Sequence, residues 1–445
     1  MNHRPVGIDL FAGAGGMSLG FEQAGFDVVA AVEIDPVHCA THKYNFPHCA
    51  VLPKSVVGLT GAEIRMAAGI GTRRVDVVFG GAPCQGFSMI GQRALDDPRN
   101  SLVRDFLRIV GELDASYFVF ENVKGLTLGQ HRKFLDEFEV LAGSLGYCIQ
   151  KPWQVLDAAN YGVPQHRERL FLYGAKLGRT LPAYPAKETR AADGRCKASV
   201  ELPFGPTASD ALGDLPDADR FSELLDTDEV LKAKLGPPSE FAKALRCLTN
   251  DAWYFGYARN WKPSLLTSSA RTGHTEISRR RFRETEAGST EPISRFYKLS
   301  RNGLSNTLRA GTDGARGAFT SPRPVHYEHD RCVTVREMAR LHGYPDWFRF
   351  NETKWHGARQ IGNSVPPPLA RAVAERVMTS MGAVPTRPFE TVNLGSTALL
   401  RMNLSQAADH FGITPISSKR DRKSGSTKRS QHAIESERLR LIHAG

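Results

Sequence analysis

Cys84 has the surroundings that most clearly suggest chemistry. It lies in the run GGAPCQGFS, directly after a β-branched segment that predicts a buried strand. A cysteine in such a Gly- and Pro-containing loop is exposed, and helix N-termini or arginines nearby lower the pKa of its thiol. We therefore predict that Cys84 is a nucleophile. The alternative is a cysteine that packs as a small buried apolar residue.

Carboxylate, amide and guanidinium groups lie in two further segments. Glu121 and Asn122 follow a predicted strand in FENVKG, and YGVPQHRERLF offers Gln165, Arg167 and Arg169. We predict a strand over the second segment, so that its two arginines project from one face toward a carbonyl or phosphate group. A surface ladder of salt bridges is the alternative.

Three glycines in DLFAGAGG, which runs from Asp9 to Gly16, separate a predicted strand from a predicted helix. Glycine allows a tight turn and a close approach of the backbone to a ligand. The spacing is not the dinucleotide fingerprint, because Ser18 stands where the third glycine is required. Glu33 ends the next predicted strand, and its carboxylate can accept hydrogen bonds from both hydroxyls of a ribose. A structural glycine turn is the alternative.

Alternating strands and helices position these groups over the first 175 or so residues. This alternation predicts an α/β fold with a doubly wound, mostly parallel sheet. Ligands of such sheets lie beyond the C-terminal ends of the strands, where the glycine turn and the Glu33, Cys84 and Glu121 side chains all fall. The predicted strands are 6–11, 28–32, one near Val51, 75–79 and 117–120.

The alternation breaks between about 180 and 320, which predicts a smaller, irregular domain. It returns with the amphipathic helix VREMARLHG and with QIGNSVPPPLA, a polar turn before a helix in which Asn363 and Ser364 can cap or bind. After Pro385 we expect the chain to leave the domain through a short helical hairpin, MNLSQAADHFGI, and a flexible basic tail, SSKRDRKSGSTKRSQ. The predicted domains are 1–180, 181–322, 323–385 and 386–445.

Composition narrows the partners. There are 58 Lys and Arg against 47 Asp and Glu, a net charge of +11, which favours a polyanionic partner such as nucleic acid over a merely solvated basic surface. The seven cysteines form no CxxC pair, so no disulfide framework or metal site is predicted. No apolar run approaches the roughly 18 residues of a membrane helix and no signal peptide is evident, so we expect a cytoplasmic protein.

Seven motifs together closely resemble the DNA (cytosine-5) methyltransferase family of bacterial modification enzymes. They are DLFAGAGG, GGAPCQGFS, DDPRNSL, FENVKG, QHRER, RCVTVREMARLHGYP and QIGNSVPP, in the family's order. The resemblance covers roughly 1–175 and 300–380. It implies a Rossmann-like catalytic domain and makes 181–322 the target-recognition domain, closed by GLSNTLRAG.

The resemblance implies methyl transfer from S-adenosyl-L-methionine, which becomes S-adenosyl-L-homocysteine, to carbon 5 of a cytosine rotated out of double-stranded DNA. Cys84 would add to carbon 6, Glu121 would contact the ring nitrogen, and Arg167 and Arg169 would lie near the target base. It further implies a monomer in the bacterial cytoplasm, associated with the nucleoid, that recognises one short sequence within restriction-modification and has a possible cognate endonuclease.

The resemblance also assigns binding residues. Lys54 and Ser55 stand where many relatives carry an acidic residue for the adenine amino group, so that role falls to Ser55 or a backbone carbonyl, or else cofactor binding is weaker. The implied cofactor residues are Asp9, Phe11, Gly13, Gly16, Glu33, Pro83, Leu102, Asn363 and Val365. The expected DNA contacts are Gln85, Ser88, Arg271, Arg279, Arg281 and Arg283.

Three other functions compete with this one. A nicotinamide-dependent oxidoreductase would share the sheet, but Ser18 and the cysteine loop disfavour it. A DNA-binding regulator without activity fits the charge, but the complete set of candidate catalytic residues disfavours it. An RNA-directed methyltransferase is the third alternative. The long variable region favours DNA over RNA as the substrate. A mechanism with two catalytic cysteines, as in one type of RNA cytosine methylase, is disfavoured because Cys84 has no evident partner cysteine.

Overall fold

The computed structural model describes residues 4–82, 101–127, 132–191, 201–312 and 320–414. The strands are β1 (Val6–Leu10), β2 (Asp27–Val32), β3 (Ala50–Leu52), β4 (Val77–Gly80), β5 (Tyr117–Val123), β6 (Tyr147–Ile149), β7 (Gln154–Asp157), β8 (Glu168–Lys176), β9 (Val230–Leu231), β10 (Ala258–Asn260), β11 (Leu265–Leu266) and β12 (Thr391–Asn393). The helices are α1 (Gly16–Gln23), α2 (Pro36–Asn45), α3 (Gly61–Ala68), α4 (Ser101–Glu112), α5 (Arg132–Ser144), α6 (Ala208–Leu212), α7 (Glu240–Leu245), α8 (Glu276–Glu284), α9 (Val335–Leu341), α10 (Lys354–Asn363), α11 (Pro367–Ser380), α12 (Ala398–Arg401) and α13 (Leu404–His410).

The main sheet has the strand order β3-β2-β1-β4-β5-β8-β6, with β7 also paired to β8. The strands from β1 to β5 are parallel, whereas β8 runs antiparallel to β5, β6 and β7. The predicted doubly wound, mostly parallel sheet is therefore confirmed. The C-terminal ends of β1, β2, β4 and β5 meet at one edge, which is where the predicted ligand-binding groups lie.

Both faces of this sheet are covered by helices. In β4 the buried Val78 packs in a core with α3, α4 and α5, while its neighbours Val77 and Phe79 pack in a second core with α1 and α11. This alternation is what a strand buried on both faces requires. Helix α11 belongs to the far end of the chain, yet it packs so closely on α1 that a Cβ on Gly20 would lie 2.4 Å from the Cβ of Ala370.

The strand predicted over YGVPQHRERLF begins later than expected. Strand β8 starts at Glu168, and the preceding residues form a 3-10 turn that ends at Gly162 with a φ of 72°. Pro164 has no N–H group to donate to a strand ladder. The prediction of a strand was therefore wrong for Gln165 and Arg167, which lie in an irregular segment before β8.

The QIGN segment was predicted as a turn but forms the last turn of α10. Thr353 caps the start of that helix by accepting from the backbone N–H of His356, so the helix has begun well before the segment. Ser364 ends it, and Pro366 precedes α11. The expected cap or binding position of Asn363 and Ser364 is thus a junction between two helices.

The region from 201 to 331 has short helices and a two-stranded ribbon of β9 and β11. Buried ion pairs join it to α9: Arg331 binds both Glu337, at 2.9 Å, and Asp217, at 3.0 Å. Arg340 of α9 likewise binds Asp214, at 3.0 Å. The irregular region is therefore joined to the second α/β segment by paired charges and by a shared apolar core, in which Leu212 and Leu308 pack with Met338.

Residues after Pro385 pack on the body of the protein. Strand β12 pairs with β10, and α12 and α13 pack on α2, where Leu400 contacts a small core that contains Tyr44. The hairpin was predicted over 402–413; α13 lies within that segment, whereas α12 ends just before it, so the pair of helices begins earlier than predicted. The basic tail at 417–431 lies outside the described residues. No helix in the described part of the chain has the length and apolar character needed to cross a membrane.

Candidate active site

The glycine turn after β1 is held by Glu33. The backbone N–H of Gly13 donates to one carboxylate oxygen of Glu33, at 2.8 Å, and that of Asp35 donates to the other, at 2.9 Å. Phe11, Gly13 and Gly15 all have positive φ values, 63°, 55° and 103°, so the turn uses backbone conformations that favour glycine. A Cβ on Gly13 would point into open space, which leaves room for a ligand against the turn.

The segment after α10 lies directly against this turn. A Cβ on Gly16 would fall 2.5 Å from the carbonyl oxygen of Val365 and 2.9 Å from the Cβ of Ser364. Phe11 is half-buried, as is Leu102 in the first turn of α4, and both contact the same apolar core. The structure therefore brings four of the predicted cofactor residues, Phe11, Gly13, Gly16 and Glu33, together with Val365.

Asp9 lies beneath the turn and is buried. Its carboxyl Oδ2 accepts from the hydroxyl of Ser18 at 2.6 Å, and that hydroxyl lies 3.0 Å from Nε2 of His42. Burial raises the pKa of Asp9 to about 8, and the Ser18 hydrogen bond opposes this rise. Burial also lowers the pKa of His42 to about 3, so the imidazole is neutral. Asp9 thus connects β1, before the turn, to Ser18 of α1, after the turn, through a buried hydrogen bond.

This network predicts a pH dependence of stability. With a folded pKa of about 8 and an ordinary value of 3.8, Asp9 keeps its proton in the native state while the unfolded chain has lost it. Its contribution to stability is complete at low pH and is lost as the pH rises toward about 8. We expect wild-type unfolding free energy to fall by up to about 1.4 kcal/mol per pH unit more steeply than that of Asp9→Asn between about pH 5 and pH 8.

Urea unfolding at several pH values measures this difference. Asp114→Asn is the matched control, because Asp114 is exposed and pairs with Lys176 at the surface. We expect that variant to keep the wild-type slope. Parallel slopes for Asp9→Asn and wild type would contradict the assignment of a retained proton to Asp9.

The ends of β4 and β5 form the second part of the site. A Cβ on Gly80 would lie 1.8 Å from the carbonyl oxygen of Leu10, and one on Gly81 would lie 2.2 Å from Oε2 of Glu121. A side chain at Gly80 would therefore overlap the backbone of β1, and a side chain at Gly81 would displace the Glu121 carboxylate from its observed position. The side chain of Asn122 donates to the carbonyl oxygen of Ala82 at 3.1 Å. The chain is thus anchored beside Glu121 just before it enters the cysteine loop.

Glu121 forms an ion pair with Arg169. Nε of Arg169 lies 2.9 Å from Oε1 of Glu121, and the side chains are only 14% and 12% exposed. Burial raises the pKa of Glu121 and outweighs the charges of Arg169 and Arg167, which lower it. A buried carboxyl with a raised pKa can hold a proton for a bound group and still return to the ionised form.

Arg167 is buried and binds two distant carbonyl groups. Its Nη1 donates to the carbonyl oxygen of Leu308 at 2.9 Å and its Nη2 to that of Gly362 at 2.7 Å. Arg167 therefore joins the segment that closes the irregular region to the end of α10. Its charge also contributes to the field at Glu121.

A hydrogen-bonded chain that the sequence does not predict lies beside Arg167. The backbone N–H of Leu308 donates to Oε1 of Gln165 at 3.1 Å, so the Gln165 amide nitrogen faces Nδ1 of His342, at 2.9 Å. Nε2 of His342 lies 3.1 Å from the Ser364 hydroxyl. Burial lowers the pKa of His342 well below its ordinary value, so the neutral ring accepts at Nδ1.

The predicted DNA-contacting arginines are paired with carboxylates of their own region. Arg271 and Arg279 share Asp219, at 3.3 and 2.6 Å. The other two pairs are Arg281 with Glu291, at 3.9 Å, and Arg283 with Asp330, at 2.7 Å. Pro83, Cys84, Gln85 and Ser88 lie outside the described residues, which omit 83–100.

Comparison with known proteins identifies the family. A family model for C-5 cytosine-specific DNA methylase matches residues 6–379. The chain is 56% identical over 411 residues to the Type II methyltransferase M.XorII of Xanthomonas oryzae pv. oryzae, covering 92% of this chain and 93% of that protein. It is 32% identical over 432 residues to the Type II methyltransferase M.AgeI of Thalassovita gelatinovora, covering 84% and 99%.

A solved structure agrees with these matches. The crystal structure of a candidate DNA modification methyltransferase encoded within an E. coli prophage superposes with a TM-score of 0.66 at 32% identity, covering 85% of this chain and 99% of that chain. The sheet, the glycine turn and the largely buried Glu121–Arg169 pair all lie within the matched residues. The chain therefore belongs to the C-5 cytosine-specific DNA methylase family and is a DNA cytosine-5 methyltransferase.

Proposed function

We propose that this enzyme transfers the methyl group of S-adenosyl-L-methionine to carbon 5 of a cytosine rotated out of double-stranded DNA, within one short sequence, through an adduct of Cys84 at carbon 6. The observation that carries the proposal is the largely buried Glu121–Arg169 ion pair, which packs against Gly81 three residues before Cys84. Because the relatives named above are Type II methyltransferases, we also propose a role in restriction-modification, with a cognate endonuclease as functional partner.

The anchored backbone before the cysteine loop supports Cys84 as the nucleophile. Asn122 holds the carbonyl group of Ala82, and Ala82 follows the glycine that packs on Glu121. Only two peptide units separate Ala82 from Cys84, so their Cα atoms lie within about 7 Å of each other. A thiolate delivered there can reach a base that Glu121 binds.

The chemistry needs a nucleophile that can add and later leave. Carbon 5 of cytosine is a poor nucleophile while the ring is aromatic. The Cys84 thiolate forms a bond to carbon 6, and the electron pair displaced from the ring makes carbon 5 an enamine carbon. Carbon 5 would then form a bond to the methyl group while the bond from that methyl group to the sulfur of S-adenosyl-L-methionine breaks, which would release S-adenosyl-L-homocysteine. A base next removes the carbon 5 proton, the electron pair of that C–H bond restores the ring double bond, and the bond from carbon 6 to the Cys84 sulfur breaks, so that the thiolate leaves. Cysteine suits both steps because its thiolate is strongly nucleophilic and is also a good leaving group.

Glu121 and Arg169 stabilise the charge that this addition creates. A proton held on Glu121 neutralises the ring nitrogen, which the raised pKa of its carboxyl favours. The Arg169 guanidinium pairs with Glu121 in the free enzyme. Its remaining N–H groups would donate to the carbonyl oxygen of the bound base. Loss of one such donor costs roughly 3 kcal/mol of transition-state stabilisation in comparable sites. Arg167, although near, is committed to two backbone carbonyl groups.

The glycine turn and its neighbours fit the cofactor. Each Glu33 oxygen accepts one backbone N–H and keeps lone-pair capacity for a ribose hydroxyl. The open space at Gly13 admits a ligand against the backbone, and Val365 borders the same turn through Gly16. S-adenosyl-L-methionine, when bound there, supplies the methyl group that carbon 5 receives. Ser55 accepts from the backbone N–H of Val57 at 3.1 Å and keeps a lone pair for the adenine amino group.

The remaining predicted contacts complete the proposal. Pro83, Leu102 and Asn363 would border the cofactor. Extrusion of the base costs a few kcal/mol, which contacts to the DNA backbone must offset. We propose that the enzyme acts as a monomer in the bacterial cytoplasm. The proposed DNA contacts are Gln85, Ser88, Arg271, Arg279, Arg281 and Arg283.

Gly16→Ala tests the fit of the cofactor site. The added methyl group would meet the Val365 carbonyl oxygen at 2.5 Å, so we expect a stability loss of about 1–3 kcal/mol and weaker binding of S-adenosyl-L-homocysteine. Thermal melting and calorimetry measure the two effects. Gly143→Ala in α5 is the control, because its Cβ would meet nothing within 4 Å and should leave both quantities near wild type or raise stability slightly. Wild-type affinity in Gly16→Ala would contradict the proposed site.

Base-resolution methylation sequencing tests the function as a whole. We would express the protein and a Cys84→Ser variant in a host whose DNA carries no cytosine methylation. The proposal predicts methylation at carbon 5 in one short DNA sequence with wild type and none with the variant. An unmethylated genome in the presence of soluble wild-type protein would argue against DNA as the substrate.

A further inference from the structure

We propose that Arg309 binds a phosphate of the DNA strand that carries the target cytosine. This inference rests on the proposed function and adds a residue outside the DNA contacts given above. It starts from the segment 308–312, whose backbone lies along α10 beside the candidate active site.

Two contacts and one close approach fix the backbone around Arg309. The carbonyl oxygen of Leu308 accepts from Arg167 at 2.9 Å, and that of Thr312 accepts from the indole N–H of Trp355 at 3.2 Å. Between them, a Cβ on Gly362 would fall 2.4 Å from the carbonyl carbon of Arg309. The Arg309 side chain therefore projects from a backbone that is held in place before any ligand binds, which lowers the entropic cost of binding.

The guanidinium of Arg309 is available to an external anion. Leu308 is 1% exposed, whereas Arg309 is exposed. Within the described residues Arg309 has no ion-pair partner, in contrast to Arg271 and Arg279, which share Asp219, and to Arg283, which pairs with Asp330. A planar guanidinium presents paired donors that match two oxygens of a phosphate.

The position of Arg309 relates it to the target base. Arg167 donates to the carbonyl oxygen of Leu308, the residue before Arg309. Arg169, two residues after Arg167, pairs with Glu121. Arg309 thus directly follows Leu308, the residue through which Arg167 connects the irregular region to the surroundings of the Glu121–Arg169 pair. A nucleotide that enters this site brings a phosphate on each side of its sugar, and we infer that the exposed Arg309 side chain reaches one of these phosphates.

The salt dependence of DNA binding tests the proposal. We would titrate wild type, Arg309→Gln and Arg309→Lys with a labelled duplex that contains the sequence mapped by methylation sequencing. Loss of one phosphate contact should weaken binding by about tenfold and reduce the slope of log K against log salt by about 0.9. Arg309→Lys keeps the charge and should keep most of the slope. The control is Arg301→Gln, since Arg301 is 61% exposed but pairs with Glu328 at 2.8 Å, and its slope should match wild type.

A duplex with a neutral methylphosphonate beside the target cytosine identifies the partner. When the methylphosphonate lies on one flank of the cytosine, wild type should bind this duplex as weakly as Arg309→Gln binds the unmodified duplex. The same methylphosphonate should cause no further loss of binding in Arg309→Gln. The cofactor carboxylate is the other anion of the site, so S-adenosyl-L-homocysteine binding is measured in parallel and should be unchanged. An Arg309→Gln variant that loses affinity for S-adenosyl-L-homocysteine but keeps the wild-type salt slope would overturn the proposal. So would losses from the variant and from the methylphosphonate that add on both flanks of the cytosine. A lowered melting temperature of the variant, with no change in DNA binding, would also overturn it. Wild type that neither binds nor methylates the duplex would instead overturn the proposed function.

Discussion

Replacement of Cys84 by serine is expected to abolish methyl transfer while leaving duplex binding largely intact. A serine hydroxyl has a pKa far above that of a thiol, so no nucleophilic anion is available to add to carbon 6. We expect turnover to fall by roughly 10⁴-fold to 10⁶-fold, the scale observed when a covalent nucleophile is removed. Transfer of tritiated methyl groups to DNA measures turnover, and a gel-shift titration measures binding.

The control for this prediction is Cys148→Ser. Cys148 is exposed on β6, at the edge of the sheet away from the strand ends that form the site. Its replacement should leave both measurements at wild-type values. Turnover of Cys84→Ser comparable to that of wild type would contradict the assignment of the nucleophile.

Replacement of Glu121 by glutamine is expected to produce the second largest effect. The amide keeps the shape and can donate a hydrogen bond, but it cannot transfer a proton to the ring nitrogen. We expect turnover to decrease by about 10²-fold to 10⁴-fold, the usual contribution of a positioned acid or base. Arg169 would also lose its charged partner, which lies 2.9 Å away.

The pH profile separates proton transfer from a structural effect. Burial raises the pKa of Glu121, so the carboxyl keeps its proton to higher pH than an ordinary glutamate. Because the protonated form stabilises the adduct, wild-type turnover should fall as the pH rises through this raised pKa, and Glu121→Gln should lack that decrease. Glu168→Gln is the matched control, since Glu168 is adjacent to Arg169 but pairs at the surface with Lys124. A pH profile of Glu121→Gln with the same decrease as wild type would exclude Glu121 as its source.

Local sequence patterns predict the central part of the fold well. The strands β1, β2, β4 and β5 are short runs of mainly apolar residues that lead into a glycine turn or contain or precede a polar residue at their C-terminal ends, so their approximate positions and the location of Glu33 and Glu121 follow from the sequence. Parallel strands place such ends at one edge of a sheet. Two glycines of the cysteine loop have an additional role, because Gly80 and Gly81 must lack side chains for β1 and Glu121 to lie where they do.

Contacts between segments that are distant in the chain cannot be predicted from the local sequence. His342 lies 177 residues from its hydrogen-bond partner Gln165, and no local pattern connects them. Arg167 looked like a second base-binding arginine, but its guanidinium binds carbonyl groups 141 and 195 residues away. Asp219 pairs with two of the arginines that were predicted to contact DNA, Arg271 and Arg279. Such pairings depend on tertiary packing, which overrides the local preferences of an exposed basic segment.

We expect Cys84 to form a covalent bond to the target cytosine next to the Glu121–Arg169 pair. A duplex with 5-fluorocytosine at the target position tests it most directly, because fluorine at carbon 5 cannot be removed as a proton and the sulfur then cannot leave. We expect a protein–DNA complex that survives denaturing electrophoresis, requires S-adenosyl-L-methionine for its accumulation, and yields a modified peptide at Cys84 by mass spectrometry. Methylation of ordinary duplex without any trapped complex, or a trapped complex on another residue, would contradict it.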